Sequence, residues 1–569
     1  MNGYENYDIK YIFMGLGLIA VLFVGFLLIM AYQKWKNRKR IMSKIRREWG
    51  KRVEREYDPT EFDCISHYYL NKETEVFQID DITWNDLDMD RIFMELNHTR
   101  SFLGESYLYY QLRTPEMNGE KLEKFEKLVN WFEAHEKERE EMEYFFARIG
   151  KTGRNSVFDY VYNLAEADSG SSWIHFGTTF LILASVCVLL IWPQPGILML
   201  IGSFIISMWT YERWKRPVEP YMISCIALEK VLNSAGEIGA MKIDGMPGEK
   251  IREAVGSFRK LRRNMVLLVA GGYHSDSIEQ ALIMLLNNLF HIDLLQFKTV
   301  VREAEKHLPE FEFLVEEIGR IESAIAVASF RRLYPHHTVP ILRTDGPIRF
   351  CGQQMYHPLI SDPVSNSLDT DCCILLTGSN ASGKSTFLKT AALQVILAQT
   401  VHTVLAKRYE ARYFRVFSSM ALRDDLAGEE SYYMVEIRSL KRILDRIEGE
   451  QPVFCCIDEV LRGTNTVERI AASSQILKWI AGKNLLCMAA THDIELTYLL
   501  DGVYRNCHFE EEVTETEVRF DYLLKEGRAM TRNAIRLLAL MGFDESIIRE
   551  AENLASRMIG TEREKMNKL

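Results

Sequence analysis

Residues 375–390 read LLTGSNASGKSTFLKT, and the fold class turns on them. Gly378 to Ser385 fit the spacing G-x-x-x-x-G-K-[ST]. The run DCCILLT at 371–377 reads as a buried strand, and 387–399 carry helical spacing. A strand that turns through glycines into a helix aims successive backbone N–H groups at an anion, and the helix dipole adds positive potential there. The expected cradle is Gly378, Ser379, Asn380, Ala381, Ser382, Gly383, Lys384, Ser385 and Thr386. Lys384 would neutralise β- and γ-phosphate charge, and the Ser385 hydroxyl would ligate Mg²⁺. The ligand class is therefore a nucleoside triphosphate with Mg²⁺.

Such a site needs carboxylates at the end of a second strand. Residues 453–459, VFCCIDE, supply them. Asp458 is the metal-side acid, acting through water, and Glu459 is placed to orient or deprotonate the attacking water. A third apolar run, 485–490, ends in Thr491-His492-Asp493. His492 is expected to hydrogen-bond the γ-phosphate.

At 569 residues the chain calls for three or four units. Its 26% charged and 47% hydrophobic residues are an ordinary globular composition, which excludes wholesale disorder. A net charge of −10 argues against a surface coated for nucleic acid. The 10 cysteines include two adjacent pairs, Cys372-Cys373 and Cys455-Cys456, with no CxxC or zinc-like spacing. They read as reduced core thiols in a cytosolic setting.

Residues 11–32 carry no charge and are long enough to span a bilayer core of roughly 30 Å. Glu5, Asp8 and Lys10 precede them; Lys34, Lys36, Arg38, Lys39, Arg40, Lys44, Arg46 and Arg47 follow. This order is the reverse of a cleaved signal, so the stretch reads as an anchor with its N-terminus outside and the rest in the cytosol. The basic segment then lies beside anionic lipid. A second apolar zone, 173–211, is broken once at Pro193-Gln194-Pro195-Gly196, with Trp173, Trp192 and Trp209 at interface levels. It reads as a helical hairpin that spans or dips into the membrane, with Arg213, Lys215 and Arg216 on the cytosolic side. Arg259-Lys260-Leu261-Arg262-Arg263 could face a phosphate backbone or be a solvated helix face, and His336-His337 reads as a linker feature.

From 355 to 555 these motifs resemble the ATPase domain of the MutS family of ABC-type ATPases. His357-Pro358 stands where the family has its Arg-His-Pro strand, and Asn380 keeps the loop asparagine. DDLAGEESYYMVE at 424–436 resembles the signature segment, which implies that Ser431 reaches the partner subunit's γ-phosphate. DEVLRGTNT at 458–466 and ATHDIELT at 490–497 resemble two further family motifs, and 527–551 resemble the arm through which family ATPase domains pair. More weakly, 80–115 look like the start of the family's helical core.

The resemblance implies an α/β P-loop ATPase domain of ABC type preceded by an all-α helical core, with about three transmembrane helices. Expected boundaries are an anchor at 1–56, core at 57–172, a membrane hairpin at 173–211, core again at 212–345, and the ATPase domain with its dimerisation arm at 346–569. Catalytic roles fall to Glu459, His492 and, in trans, Ser431. The expected partners are a second copy of the chain, DNA bound without sequence preference, the lipid bilayer and an unidentified protein. Localisation is expected at the cell membrane, multi-pass, with core and ATPase domains cytoplasmic.

Some residues depart from the family pattern. Glu430 replaces Gln or Arg, Tyr432 a threonine, and Leu461 a glycine. Residues 1–56 leave no room for the family's mismatch-wedging domain, and the Phe-x-Glu triplets at Phe93, Phe509 and Phe543 fall within other segments. Three readings follow: a membrane-tethered MutS-like ATPase that clamps DNA, a mismatch-repair initiator proper, and an ABC-type transport ATPase.

Overall fold

Among the described residues helices fill the first 333 positions, and the strands follow them. The structure, a computed structural model, describes residues 4–166, 170–270, 278–379, 382–420, 432–462, 464–513, 518–529, 535, 538 and 541–566. In chain order the helices are α1 (Tyr4–Glu48), α2 (Pro59–Asn71), α3 (Asp81–Asp86), α4 (Met89–Leu96), α5 (Phe102–Arg113), α6 (Gly119–Ala134) and α7 (Glu136–Ile149). There follow α8 (Val157–Tyr162), α9 (Ser172–Ile191), α10 (Pro193–Ile238), α11 (Gly248–Ser257), α12 (Arg259–Ala270), α13 (Ile278–Phe290), α14 (Ile292–Glu305) and α15 (Leu308–Leu333). The C-terminal part holds α16 (Lys384–Thr400), α17 (Tyr432–Arg446), α18 (Thr466–Ala481), α19 (Ile494–Leu499) and α20 (Glu545–Met566).

The chain divides into two units. The helical unit comprises Met1–Glu73, Asn97–Tyr109 and Lys127–Leu333; the α/β unit comprises Thr74–Leu96, Tyr110–Glu126 and Tyr334–Leu569. The segment around Asp80, expected in the helical core, thus groups with the α/β unit. Its polar residues explain why: Ser418 N–H donates to Thr83 Oγ1 (3.1 Å), and Asp86 Oδ2 accepts from Ser418 Oγ (2.6 Å) and Met420 N–H (3.0 Å). Phe93 is fully buried in α4, as a core residue is.

In the helical unit α15 buries most of its second half, from Ile318 to Arg331. One buried residue is Glu322, whose carboxylate accepts from the N–H groups of Arg100 and Ser101 and from Ser101 Oγ. Those donors satisfy a charge that apolar surroundings would otherwise penalise heavily. Gly104 is required beside it, because a Cβ there would run into the Glu322 carboxyl.

Two helices among the described residues, Ser172–Ile191 and Pro193–Ile238, are long and apolar enough to cross a membrane. They pack as a hairpin: Gly196 lies against the Leu189 backbone, and Ser185 Oγ meets Ser203 Oγ at 3.1 Å. Their outer faces stay uncovered, with Trp173 84% and Leu198 74% exposed. Two features differ from expectation. The second arm does not end near Tyr211 but continues as one helix through Pro217 and Pro220. Each proline removes a helical N–H, but the carbonyls so orphaned belong to the exposed Arg213 and Arg216, where water can serve them. The hairpin also has a companion: Met284 and Leu285 of α13 are about half exposed, like the hairpin's outer face. Ser207 Oγ donates to the carbonyls of Asn288 (3.0 Å) and Leu289 (2.9 Å), and His175 Nδ1 meets His291 Nδ1 at 2.8 Å.

In the α/β unit the strands are β1 (Ile341–Arg343), β2 (Phe350–Met355), β3 (Asn366–Thr370), β4 (Ile374–Thr377), β5 (Arg408–Arg412), β6 (Arg415–Ser419), β7 (Val453–Asp458), β8 (Leu485–Thr491), β9 (Arg505–His508), β10 (Glu511–Val513), β11 (Val518–Phe520) and β12 (Lys525–Glu526). The main sheet runs β12-β9-β4-β8-β7-β6, parallel except at β12, and a second sheet runs β1-β5-β2-β3. Strands β4, β7 and β8 are almost wholly buried, which explains their unbroken apolar sequence. The cysteines of the described residues are free thiols, and most are buried in these strands and their neighbours.

Candidate active site

Sheet register assembles the site. In β4 and β8 Thr377 pairs with Thr491, and in β7 and β8 Asp458 pairs with Ala490. The segments that follow each strand therefore leave the sheet at one edge: the glycine loop after Thr377, Glu459 after Asp458, and His492 after Thr491. Carboxyl ends of parallel strands are where open α/β sheets bind ligands.

A cavity of about 640 Å³ opens there, lined by Ser379, Ser382, Gly383, Lys384, Ser385, Thr386, Asp458, Glu459, Arg462 and His492. Lys384 begins α16, and its Nζ donates to the carbonyls of Gly378 and Ser379, both at 2.8 Å. The glycine positions are demanding. Gly378 has φ +148° and Gly383 φ +107°; a Cβ at Gly378 would lie 2.6 Å from the Phe509 carbonyl oxygen. No acidic residue occupies the first turn of α16, so its free N–H groups and dipole face the cavity uncompensated. Ser382 Oγ is buried without a hydrogen-bond partner among the described residues. These features fit a triphosphate: a cradle that only glycine can form, an unspent hydroxyl, and an ammonium at a helix N-terminus.

Glu459 is held from two sides. His492 Nε2 lies 2.8 Å from its Oε1, and the Arg462 guanidinium pairs with its Oε2 while its Nη2 reaches Oε1 at 3.2 Å. Its backbone is left-handed, φ +62°, an uncommon conformation for a residue with a Cβ. The N–H of Glu459 donates to Ala490 O (3.0 Å), which pins the turn to β8. Burial works to raise the Glu459 pKa, but the hydrogen bond and charge of His492 and the charges of Arg462 and Lys384 outweigh it, so the carboxyl sits below its ordinary value. Burial lowers the Lys384 pKa, against the pull of Asp458, Glu459 and Glu511. An anion arriving beside Lys384 would reverse that depression.

The structure brings together Ser379, Ser382, Gly383, Lys384, Ser385, Thr386, Asp458, Glu459 and His492, as the motifs imply, with Gly378 closing the loop beneath Lys384. Asn380, Ala381, Ser431 and the rest of the 421–431 segment lie outside the described residues, as do Gly463 and most of the residues between 530 and 540. Four contributions were not foreseen. Arg462 clamps Glu459; Glu511 accepts from Ser379 Oγ at 2.7 Å; His357 lines the wall, its pKa pushed down to about 4 by burial and the nearby Lys389; and an apolar end is formed by Ile360, Pro363, Val364, Phe509 and Tyr522. Two of these carried a signal: His357 as the first residue of a His-Pro pair, and Arg462 within the motif at 458–466.

Comparisons with known proteins agree with this geometry. Residues 374–559 match the family model of MutS domain V. The chain is 29% identical over 274 residues to a DNA mismatch repair protein MutS of Natronomonas pharaonis, covering 46% of this chain and 31% of that protein. It is 32% identical over 216 residues to the protein of the same name from Aquifex pyrophilus, covering 36% and 25%. To the DNA mismatch repair protein MutS 2 of Haloarcula marismortui it is 32% identical over 185 residues, covering 32% and 19%. The chain spans about a third or less of the length of these curated relatives. The similarity supports a MutS-family relationship for the C-terminal part, and with it an ATPase-type domain.

Proposed function

We propose that the chain is a membrane-anchored, MutS-like ATPase that closes as a homodimer around DNA and hydrolyses ATP to reopen. The observation that carries the ATPase reading is the juxtaposition of Lys384 at a glycine-framed helix N-terminus with Glu459, oriented by His492, across one cavity. The loop N–H groups, Lys384 and the hydroxyl of Ser385 would hold the triphosphate, and the apolar end beside Tyr522 and Phe509 suits a base. Ser385 and Asp458 would hold Mg²⁺, which supplies charge neutralisation on the β- and γ-oxygens. Glu459, kept ionised by its neighbours, takes or orients the proton of the attacking water. His492 holds Glu459 and faces the γ-phosphate position.

The dimer reading rests on the likeness of 424–436 to a segment that completes the partner's site. An exposed apolar side of α20 and the residues before it, including Phe543, Ile547 and Leu554, fits a pairing arm. Membrane anchoring is supported by the uncovered apolar faces of α9 and α10, and by the exposed run from Val21 to Met30 on α1. Exposed patches of this extent are costly in water. The basic residues after each stretch orient both units to the cytoplasm.

Binding of the detergent-purified protein to matched, mismatched and branched DNA, with and without ATP, tests the clamp. Affinities for matched and mismatched duplex should agree within a few-fold at one salt concentration, since phosphate contacts carry no sequence information. A tenfold mismatch preference, about 1.4 kcal/mol, would favour a repair initiator. No binding to any DNA would remove the polymer from the account and leave the ATPase.

A further inference from the structure

A second cavity, in the helical unit, lies away from every motif of the ATP site. It measures about 900 Å³, and its walls come from the last turns of α1, the 51–55 segment, the 97–100 turn and the end of α7 with Lys151. Seven Lys and Arg side chains line it against two glutamates, Glu48 and Glu54. This imbalance stands out in a chain whose net charge is −10.

Five of these cations fall into two sets. Arg100, Arg55 and Lys151 are fixed by carboxylates behind them. Arg100 pairs with Glu48 and with Glu143 (3.3 Å), Arg55 with Glu105 (2.9 Å), and Lys151 with Glu105 (2.7 Å). Lys151 is recessed enough that burial lowers its pKa, in spite of Glu105. Arg47 and Lys51, by contrast, line the same cavity with no carboxylate within ion-pair distance among the described residues. A rigid cationic wall behind a pair of unspent cations is the arrangement that receives a compact anion: the first set pre-organises the site, and the second supplies new charge-assisted bonds.

We propose that this cavity is a second anion site, taking a soluble small molecule that carries several adjacent phosphates. Its volume lies in the range of small-molecule sites. A duplex, whose phosphates lie on a convex surface, cannot fill a recess. On the anchoring proposed above, a lipid headgroup lies out of reach. Helix α1 runs unbroken from Tyr4 to Glu48, so Lys44 stands about 18 Å beyond the end of the apolar stretch at Tyr32. The headgroup layer extends only about 5–8 Å past the hydrocarbon. The last turn of α1, at the end of the basic segment, lines this pocket.

The test uses the full chain in detergent bearing Lys384→Ala, so that the ATP cradle does not dominate, with inorganic triphosphate as the calorimetric probe. Saturable binding of one triphosphate per chain is expected. Adding Arg47→Glu and Lys51→Glu should weaken it at least tenfold, and Arg47→Lys with Lys51→Arg should restore it to within about threefold. Reversing the exposed Lys127 and Lys137 should leave it within twofold. Single Arg47→Gln and Lys51→Gln variants with unchanged melting temperature should each show an intermediate loss if the double reversal fails to fold. Absence of saturable binding, or equal loss from the control pair, would overturn the site. Binding that persists through the reversals would mean that the ATP cradle still takes the probe, and would also overturn it. Displacement of triphosphate by a short-chain anionic phospholipid at lower concentration than by free nucleotide would assign the pocket to headgroups, and displacement by duplex DNA at lower concentration would assign it to nucleic acid.

Discussion

Lys384 in the α/β unit and Glu322 in the helical unit are both buried ionisable side chains, 5% and 2% exposed, yet their partners differ in kind. Lys384 is held by two loop carbonyls beside an open cavity, and a phosphate can replace those partners. Glu322 is held by N–H and O–H donors at the N-terminal end of α5, inside a packed core that Gly104 makes room for. One charge lies beside an open cavity, and the other fixes a helix junction. A buried ionisable group marks function only when its partners are exchangeable and a cavity reaches it.

Substituting Glu459, the carboxylate proposed to act on water, should have the largest effect. Glu459→Gln keeps the shape and the His492 contact but cannot take a proton, so turnover should fall on the order of 10²-fold or more, with ATP still bound. Wild-type steady-state hydrolysis in this variant would move Glu459 from the reacting side of the comparison to the structural side.

Glu322 should show itself through pH and not through turnover. Burial pushes its pKa up to about 7, against the hydrogen bonds of Ser101 and Arg100; its ordinary value is 4.5. Glu143 shifts the same way to about 7, by burial opposed by Arg100 and Arg139. Between about pH 4.5 and 7 these two carboxyls bind more protons in the folded chain than in the unfolded one, so their contribution to stability falls as pH rises through that window and is flat above it. For one group the change is on the order of 3 kcal/mol at most. Glu322→Gln mimics the protonated acid, its amide serving the hydroxyl of Ser101, so melting temperature should depend less steeply on pH while ATPase activity stays near wild type. An unchanged slope would show that Glu322 titrates normally.

The smallest expected effect is a shift in profile. Arg462→Ala removes one of the charges that keep the Glu459 pKa low, so the acid limb of the hydrolysis–pH curve should move to higher pH by up to about one unit. A fall in rate with no shift of the limb would mean that Arg462 acts on something other than the Glu459 carboxyl.

The two units also differ in how far sequence exposes them. The cradle at Lys384, the Asp458-Glu459 pair and His492 were all legible, because each sits within a few residues of a strand end whose apolar run announces it. Arg462's grip on Glu459, three residues away, follows from a left-handed turn at Glu459 that no apolar pattern signals; the Ser379–Glu511 bond and the apolar wall at Phe509 and Tyr522 depend on which strands become neighbours, and no local spacing encodes that. In the helical unit the hairpin was visible as uncharged sequence, but its extension through Pro217 and Pro220 was not. Prolines normally end a helix, and here solvent-exposed carbonyls tolerate them. The companion α13 was hidden because its apolar run is shorter than a span. The segment holding Asp80, Thr83 and Asp86 was read as part of a helical core, since Ser418 of β6, which Thr83 and Asp86 bond, is more than 300 residues away.

The central claim, that this cavity binds ATP through Lys384 and hydrolyses it through Glu459, is tested most directly by the nucleotide retained on purified protein. The Glu459→Gln chain incubated with Mg²⁺ and ATP, separated from free nucleotide and denatured, should release close to one uncleaved ATP per chain, and adding Lys384→Ala should abolish that retention. Retention that survives Lys384→Ala, or release of ADP alone from the Glu459→Gln chain, would contradict it.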